Sequence, residues 1–98
     1  MKDLQAEILN WHVATFGEGA IGSEIADRTL EKLEEEYSEL WLTHPGSSDE
    51  AEEIADIIIV LLAYAGRMGH DMDAEIRRKF DVVKNRDQRQ RDKERGLI

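Results

Sequence analysis

The stretch EEIADIIIVLLAYAG, residues 52–66, opens with acids and then runs almost unbroken through apolar side chains. Read as a helix at 100° per residue, it puts Glu53 and Asp56 on the stripe shared by Val60 and Ala63, two and three turns along. Ile54, Ile57, Ile58, Leu61, Leu62 and Ala65 cover the rest of the circumference, so the helix has no wet side after its first turns. A helix apolar on every side has to be covered on every side. Three partner helices of similar size do not achieve that easily, which points to a subunit interface. The two carboxylates at the head of this stripe are the anomaly from which a function can be read.

Working outward, three more segments have helical spacing, and no strand pattern competes with them. Leu4, Ile8, Trp11 and Thr15 mark a first helix over about 4–16, followed by the glycine-rich FGEGAIGS. Leu30, Leu33, Tyr37, Leu40 and Trp41 repeat in a 3-4-3 rhythm over about 24–43. THPGSSDE, with the only proline, stops that helix and offers Ser47-x-x-Glu50 as a capping box for the next. The central helix ends before Gly69. Asp71 or Asp73 then caps a fourth, with Ile76, Phe80 and Val83 inward and a charged, frayed tail. The expected fold is all-α: a four-helix bundle-like protomer, one domain over 1–98, assembling into an oligomer.

Ninety-eight residues bury only about 60–70% of their unfolded surface, yet 41% apolar content supports a core. The absence of cysteine excludes disulfides and thiolate metal sites. MKDLQAEILNW lacks the layout of a signal peptide, and the run from Ile54 to Ala65 is about half the roughly 20 residues of a membrane span. A soluble, cytoplasmic protein without membrane contact is therefore expected. The net charge of −9 is uneven: thirteen acids against two bases between Glu18 and Asp56, nine bases against four acids between Arg77 and Arg95. An acidic middle suits cations and a basic tail suits anions, although solvated helix faces produce the same pattern. Overall acidity argues against a nucleic-acid partner.

Glu36 and Glu39 are spaced i, i+3, as are Glu53 and Asp56, and each pair shares a helix face. Two helices joined by a short turn run antiparallel, so the pairs can converge. Four carboxylates near a core repel one another and are costly to desolvate, so they must be protonated, solvated or bound to cations. An all-oxygen set favours Mg²⁺ or Mn²⁺. A di-iron bundle would need Glu-x-x-His, which is absent. GEGAIG matches G-x-G-x-x-G formally, but no strand precedes it, and it reads as a loop. His12, His44 and His70 read as surface or loop residues. Trp11, Phe16 and Trp41 read as core, with stacking on a base as the alternative for an aromatic close to a phosphate site.

Glu35-Glu36-x-x-Glu39, thirteen intervening residues, and Glu53-x-x-Asp56 together resemble the signature of MazG-like all-α nucleoside triphosphate pyrophosphatases. TLEKLEEEYSEL, DIIIVLLAYAGRMGHD and Lys79-Phe80 extend the resemblance over roughly residues 8–90, and NWHVATFG resembles the short phage and mobile-element members. The resemblance implies dimers, or tetramers of two dimers, that use Mg²⁺ to split (d)NTP into (d)NMP and pyrophosphate. It implies Glu36, Glu39, Glu53 and Asp56 as metal ligands and Glu35 as a group that orients or deprotonates the attacking water. It also implies Lys79 and Arg86 near phosphates, although Val83 stands where the family's Lys-x-x-x-Asn-x-x-Arg spacing has Asn. Trp11 and Phe16 complete the expected substrate site. A phosphoribosyl-ATP pyrophosphatase-like relative and a non-catalytic helical interaction module are the alternatives.

Overall fold

The computed structural model describes residues 1–18, 23–85 and 88–96, and every regular element among them is a helix. These are α1 (Lys2–Phe16), α2 (Glu24–Leu40), α3 (Ser48–Arg67), α4 (Met72–Lys84) and α5 (Gln88–Glu94). Side-chain caps start three of them. Ser23, Ser47 and Asp71 accept hydrogen bonds from the backbone N–H of Ala26, Glu50 and Ala74 at 3.1, 3.1 and 3.2 Å, satisfying donors that a helix start leaves orphaned. The Glu50 carboxylate accepts from the Gly46 N–H at 2.9 Å, one residue before the position of a standard capping box. Helix α2 ends at Leu40, short of Thr43, because the Leu42 and Thr43 N–H groups turn back to Glu39 and Leu40. Gly69 closes α3 at φ +81°, a left-handed conformation that glycine adopts without steric cost.

Helices α2 and α3 form a hairpin, and α1 packs on α3. Gly66 permits the closest approach of α1: a Cβ there would stand 3.3 Å from the Leu9 side chain. The buried core is small, consisting of Ile8, Leu62 and Ala63 with Met72 against it. Buried Gln5 ties three elements together. Its amide donates to His70 O at 3.0 Å and accepts from the Met72 N–H at 2.9 Å, joining α1 to the α3–α4 corner. Gln5→Leu leaves both backbone groups without this partner and is expected to cost about 1–3 kcal/mol. Urea denaturation checks this, and an unchanged midpoint would show that water replaces the amide at no cost.

The inward stripes differ from those that periodicity predicts. On α1 the buried positions are Gln5 and Ile8, while Leu4 and Trp11 are exposed. On α2 they are Ala26, Thr29 and Glu36, while Leu30, Tyr37 and Trp41 face outward, Trp41 at 74% exposure. Small side chains let α2 and α3 approach closely, and the larger apolar ones are left on a second stripe.

The four-helix bundle expectation also needs correction. Only Met72 and Asp73 of α4 are even partly buried, and Ile76, Phe80 and Val83 are exposed, so the packed unit is α1–α3. Part of the charged tail, expected to fray, instead forms α5. Its sequence contains no glycine, proline or β-branched residue to oppose a helix. Among the described residues no helix is long and apolar enough to cross a membrane.

Candidate functional site

Glu36 projects from the inner face of α2 one turn before the hairpin loop, and Glu53 and Asp56 project from the second and third turns of α3. The antiparallel hairpin therefore brings them to one level. One carboxylate oxygen from each lies within 4.8 Å of the other two. Glu36 is buried, at 5% exposure, because its stripe is the one pressed against α3. Its Oε1 accepts from Lys32 Nζ at 2.8 Å, an i, i+4 contact along α2. Oε2 of Glu36 and Oε2 of Glu53 are buried and have no hydrogen-bond donor. With both groups ionised these two oxygens are unsatisfied, so the pair needs a retained proton or a cation.

The protonation equilibria respond accordingly. The adjacent Glu36 carboxylate, close enough to share a proton, pushes Glu53 up to about 7; burial and the charges of Glu36, Glu39 and Asp56 add to this. Glu36 moves the other way. Its hydrogen bond from Lys32, and then the one from protonated Glu53, hold it below its ordinary value against the effect of burial.

Because the folded value of Glu53 exceeds its unfolded one, its contribution to stability is full below about pH 4.5 and is lost as pH rises through about 7. His12 has the opposite sign, since burial first and Arg67 second lower it from 6.5, but its contribution is complete above that pH. In EDTA the melting temperature is therefore expected to fall between pH 6.5 and 8. Mg²⁺ should replace the proton and raise the melting temperature more at pH 8 than at pH 6.5. A Mg²⁺ shift larger at pH 6.5 would contradict the proton-sharing cluster.

Glu36 and Asp56 open into a cleft of about 550 Å³, within the usual range for small-molecule sites, which Glu53 does not line. Glu36, Asp56 and Lys32 line one end. Trp11, His12 and Phe16 line the same cleft from α1, with Ile59, Val60 and Ala63 as its α3 floor. Trp11 and Phe16 meet edge to face, 5.8 Å apart at 87°. Asp56 and Ala63 are seven residues apart, so carboxylates and apolar floor extend over about 10 Å of helix.

The expected site residues separate into two groups. Glu36, Glu53 and Asp56 come together, and Trp11 and Phe16 share the cleft that Glu36 and Asp56 line. Glu39 is exposed, outside the triad and on an acidic depression separate from the cleft, but near enough to raise Glu53. Glu35 lies about 100° around α2 from Glu36, exposed, with its carboxylate 3.5 Å from Lys32 and on a separate acidic depression. Lys79, on the exposed part of α4, does not line the cleft. Arg86 lies outside the described residues.

Two basic residues of the cleft, Arg28 and Lys32, were not singled out from sequence, though their i, i+4 spacing ahead of Glu36 is visible there. His12 is a third addition: expected at the surface, it is half buried in the helical wall. Compared with models of protein families, with curated proteins and with solved structures, the chain gives no significant match.

Proposed function

We propose that this chain is a Mg²⁺-dependent nucleoside triphosphate pyrophosphohydrolase of the MazG-like kind, cleaving (d)NTP between the α and β phosphates. The observation that carries the reading is the pair of buried carboxylate oxygens without donors, on Glu36 and Glu53, beside a cleft lined by Glu36 and Asp56 together with aromatic, apolar and basic side chains. Three carboxylates less the Lys32 ammonium leave a charge of −2, which one divalent cation balances. An oxygen-only donor set suits Mg²⁺, with Mn²⁺ as a substitute. The α–β position of the cut rests on the resemblance of the two carboxylate motifs. The cellular role that fits is clearance of unwanted nucleotides from the cytoplasmic pool.

Glu36, Glu53 and Asp56 would hold the cation, with Glu39 at its margin. When bound, Mg²⁺ supplies acidity to water and neutralises charge on the phosphoryl oxygens and the leaving pyrophosphate. The resemblance assigns the proton of the attacking water to Glu35; Glu35 and Glu39 share one acidic depression of α2, and Glu39 is near enough to Glu53 to raise it. Lys32 and Arg28 bring positive charge to the polyphosphate from α2. Trp11 and Phe16 provide faces for the base, as aromatic groups do for unpaired bases.

A homodimer, or a tetramer of two dimers, belongs to the same proposal. The chain exposes 7456 Å², against about 5,700 Å² for a compact monomer of 11.3 kDa. Its radius of gyration of 16.2 Å compares with about 13 Å for a compact domain of this length. The excess of about 1,750 Å² per chain is what an obligate interface buries.

The deciding experiment incubates the protein with each ordinary (d)NTP and Mg²⁺, with EDTA controls, and separates the products. Monophosphate and pyrophosphate in equal amounts are expected. Diphosphate with orthophosphate, or no Mg²⁺-dependent turnover of any of them, would reject the reading.

A further inference from the structure

His12 occupies a position that fixes its chemistry. Arg67, the last residue of α3, is buried although charged. Its Nε donates to His12 Nδ1 at 2.8 Å, and its terminal nitrogens donate to the carbonyls of Gly17 at 2.9 Å and His12 at 3.2 Å. A guanidinium only donates, so Nδ1 has to accept and carries no proton. The ring is then neutral, with its proton on Nε2. Burial and the Arg67 charge both lower the His12 pKa and so keep it in that form near neutral pH. The ring packs on Phe16, centroids 4.7 Å apart, and meets Trp11 edge to face, so its orientation is held from three sides. Among the described residues Nε2 has no hydrogen-bond partner, and His12 lines the cleft.

We infer that His12 is a specificity-determining residue, its Nε2–H donating a hydrogen bond to an acceptor on the edge of the nucleotide base, and that Arg67 is the positioning residue that fixes this tautomer. The assignment rests on the nucleotide-hydrolase reading above. Along α3, Arg67 lies eleven residues from Asp56, about 16 Å of helix, which puts His12 at the base end of a nucleotide whose phosphates meet the carboxylates. A polar donor at an otherwise aromatic and apolar wall discriminates strongly, because a base without the matching acceptor leaves the N–H unpaired.

Two measurements on the full chain test this. A two-bond ¹H–¹⁵N spectrum of labelled protein at pH 7.5 should show His12 as the single Nε2–H tautomer; an Nδ1–H tautomer or a mixture would overturn the proposal. The kcat/KM values for a set of dNTPs, including 7-deazapurine analogues that lack the N7 acceptor, should rank differently in His12→Phe, with discrimination reduced about tenfold or more. His12→Gln, whose amide N–H can stand for Nε2–H, should keep the wild-type ranking. Inhibition by inorganic tripolyphosphate should be the same in all three proteins. An unchanged ranking in an active His12→Phe would reject the role of His12 alone. A wild-type protein that turns over no nucleotide would reject the hydrolase reading and this inference with it, while leaving the tautomer result standing.

Discussion

Replacing Glu53 with Gln, or Asp56 with Asn, is expected to remove most Mg²⁺ affinity and to lower kcat by at least the roughly 10²–10³-fold that deletion of one electrostatic group from a site costs. Each substitution keeps shape and removes charge. The triad with Lys32 then carries −1 instead of −2, and one of three converging oxygens loses its charge. The variants should nevertheless fold. Without Mg²⁺ at pH 8, Glu53→Gln is expected to melt at or above wild type, since the amide no longer has to ionise beside Glu36 and Asp56. Loss of function with gain of apo stability is the signature of a binding site and not of a structural ion pair. Calorimetric titration with Mg²⁺ and thermal melts measure the two halves. Wild-type-like binding in both variants would refute the site.

Three of the four carboxylates were legible in the sequence because their message is geometric: Glu36, Glu53 and Asp56 stand on two helices joined by a short turn, while Glu39, one turn on from Glu36, stays exposed outside the group. Helix limits were legible for the same kind of reason, as Ser47, Asp71 and Gly69 act locally through single hydrogen bonds and one positive φ. Choosing the inward stripe was harder. Helix α2 carries two apolar stripes, and periodicity favours Leu30, Tyr37 and Trp41 because they are large. Packing chose Ala26 and Thr29 because they are small, and it took Glu36 inward with them. The cleft residue His12 and its partner Arg67 escaped for a different reason. They are 55 residues apart, and neither has a local pattern that signals the other. The nearest available signal was an arginine ending an apolar helix, a charge that has to find partners if buried.

The uncovered stripes that misled the sequence reading lead to the second large effect. Ile54, Ile58 and Leu61 lie within about 60° of one another on α3 and are all exposed, Ile58 at 45%. Ile76, Phe80 and Val83 form a similar stripe on α4, Phe80 at 62%. Leaving two such aliphatic side chains in water forfeits about 3–6 kcal/mol, a large part of the 5–15 kcal/mol that typically holds a domain together. A second copy of the chain, presenting the same stripes, would cover them. Ile58→Asp is therefore expected to dissociate the assembly, placing a carboxylate in an interface while leaving the core of the protomer untouched. Leu62→Asp is expected to act differently. Leu62 is only 4% exposed and packs with Ile8 and Ala63, so a charge there should unfold the protomer itself. Sedimentation equilibrium at low micromolar concentration, paired with far-ultraviolet circular dichroism, separates these outcomes. Dissociation with helicity retained is expected for Ile58→Asp, and loss of helicity for Leu62→Asp. A wild-type protein that sediments as a stable, active 11.3 kDa monomer would disprove the assembly.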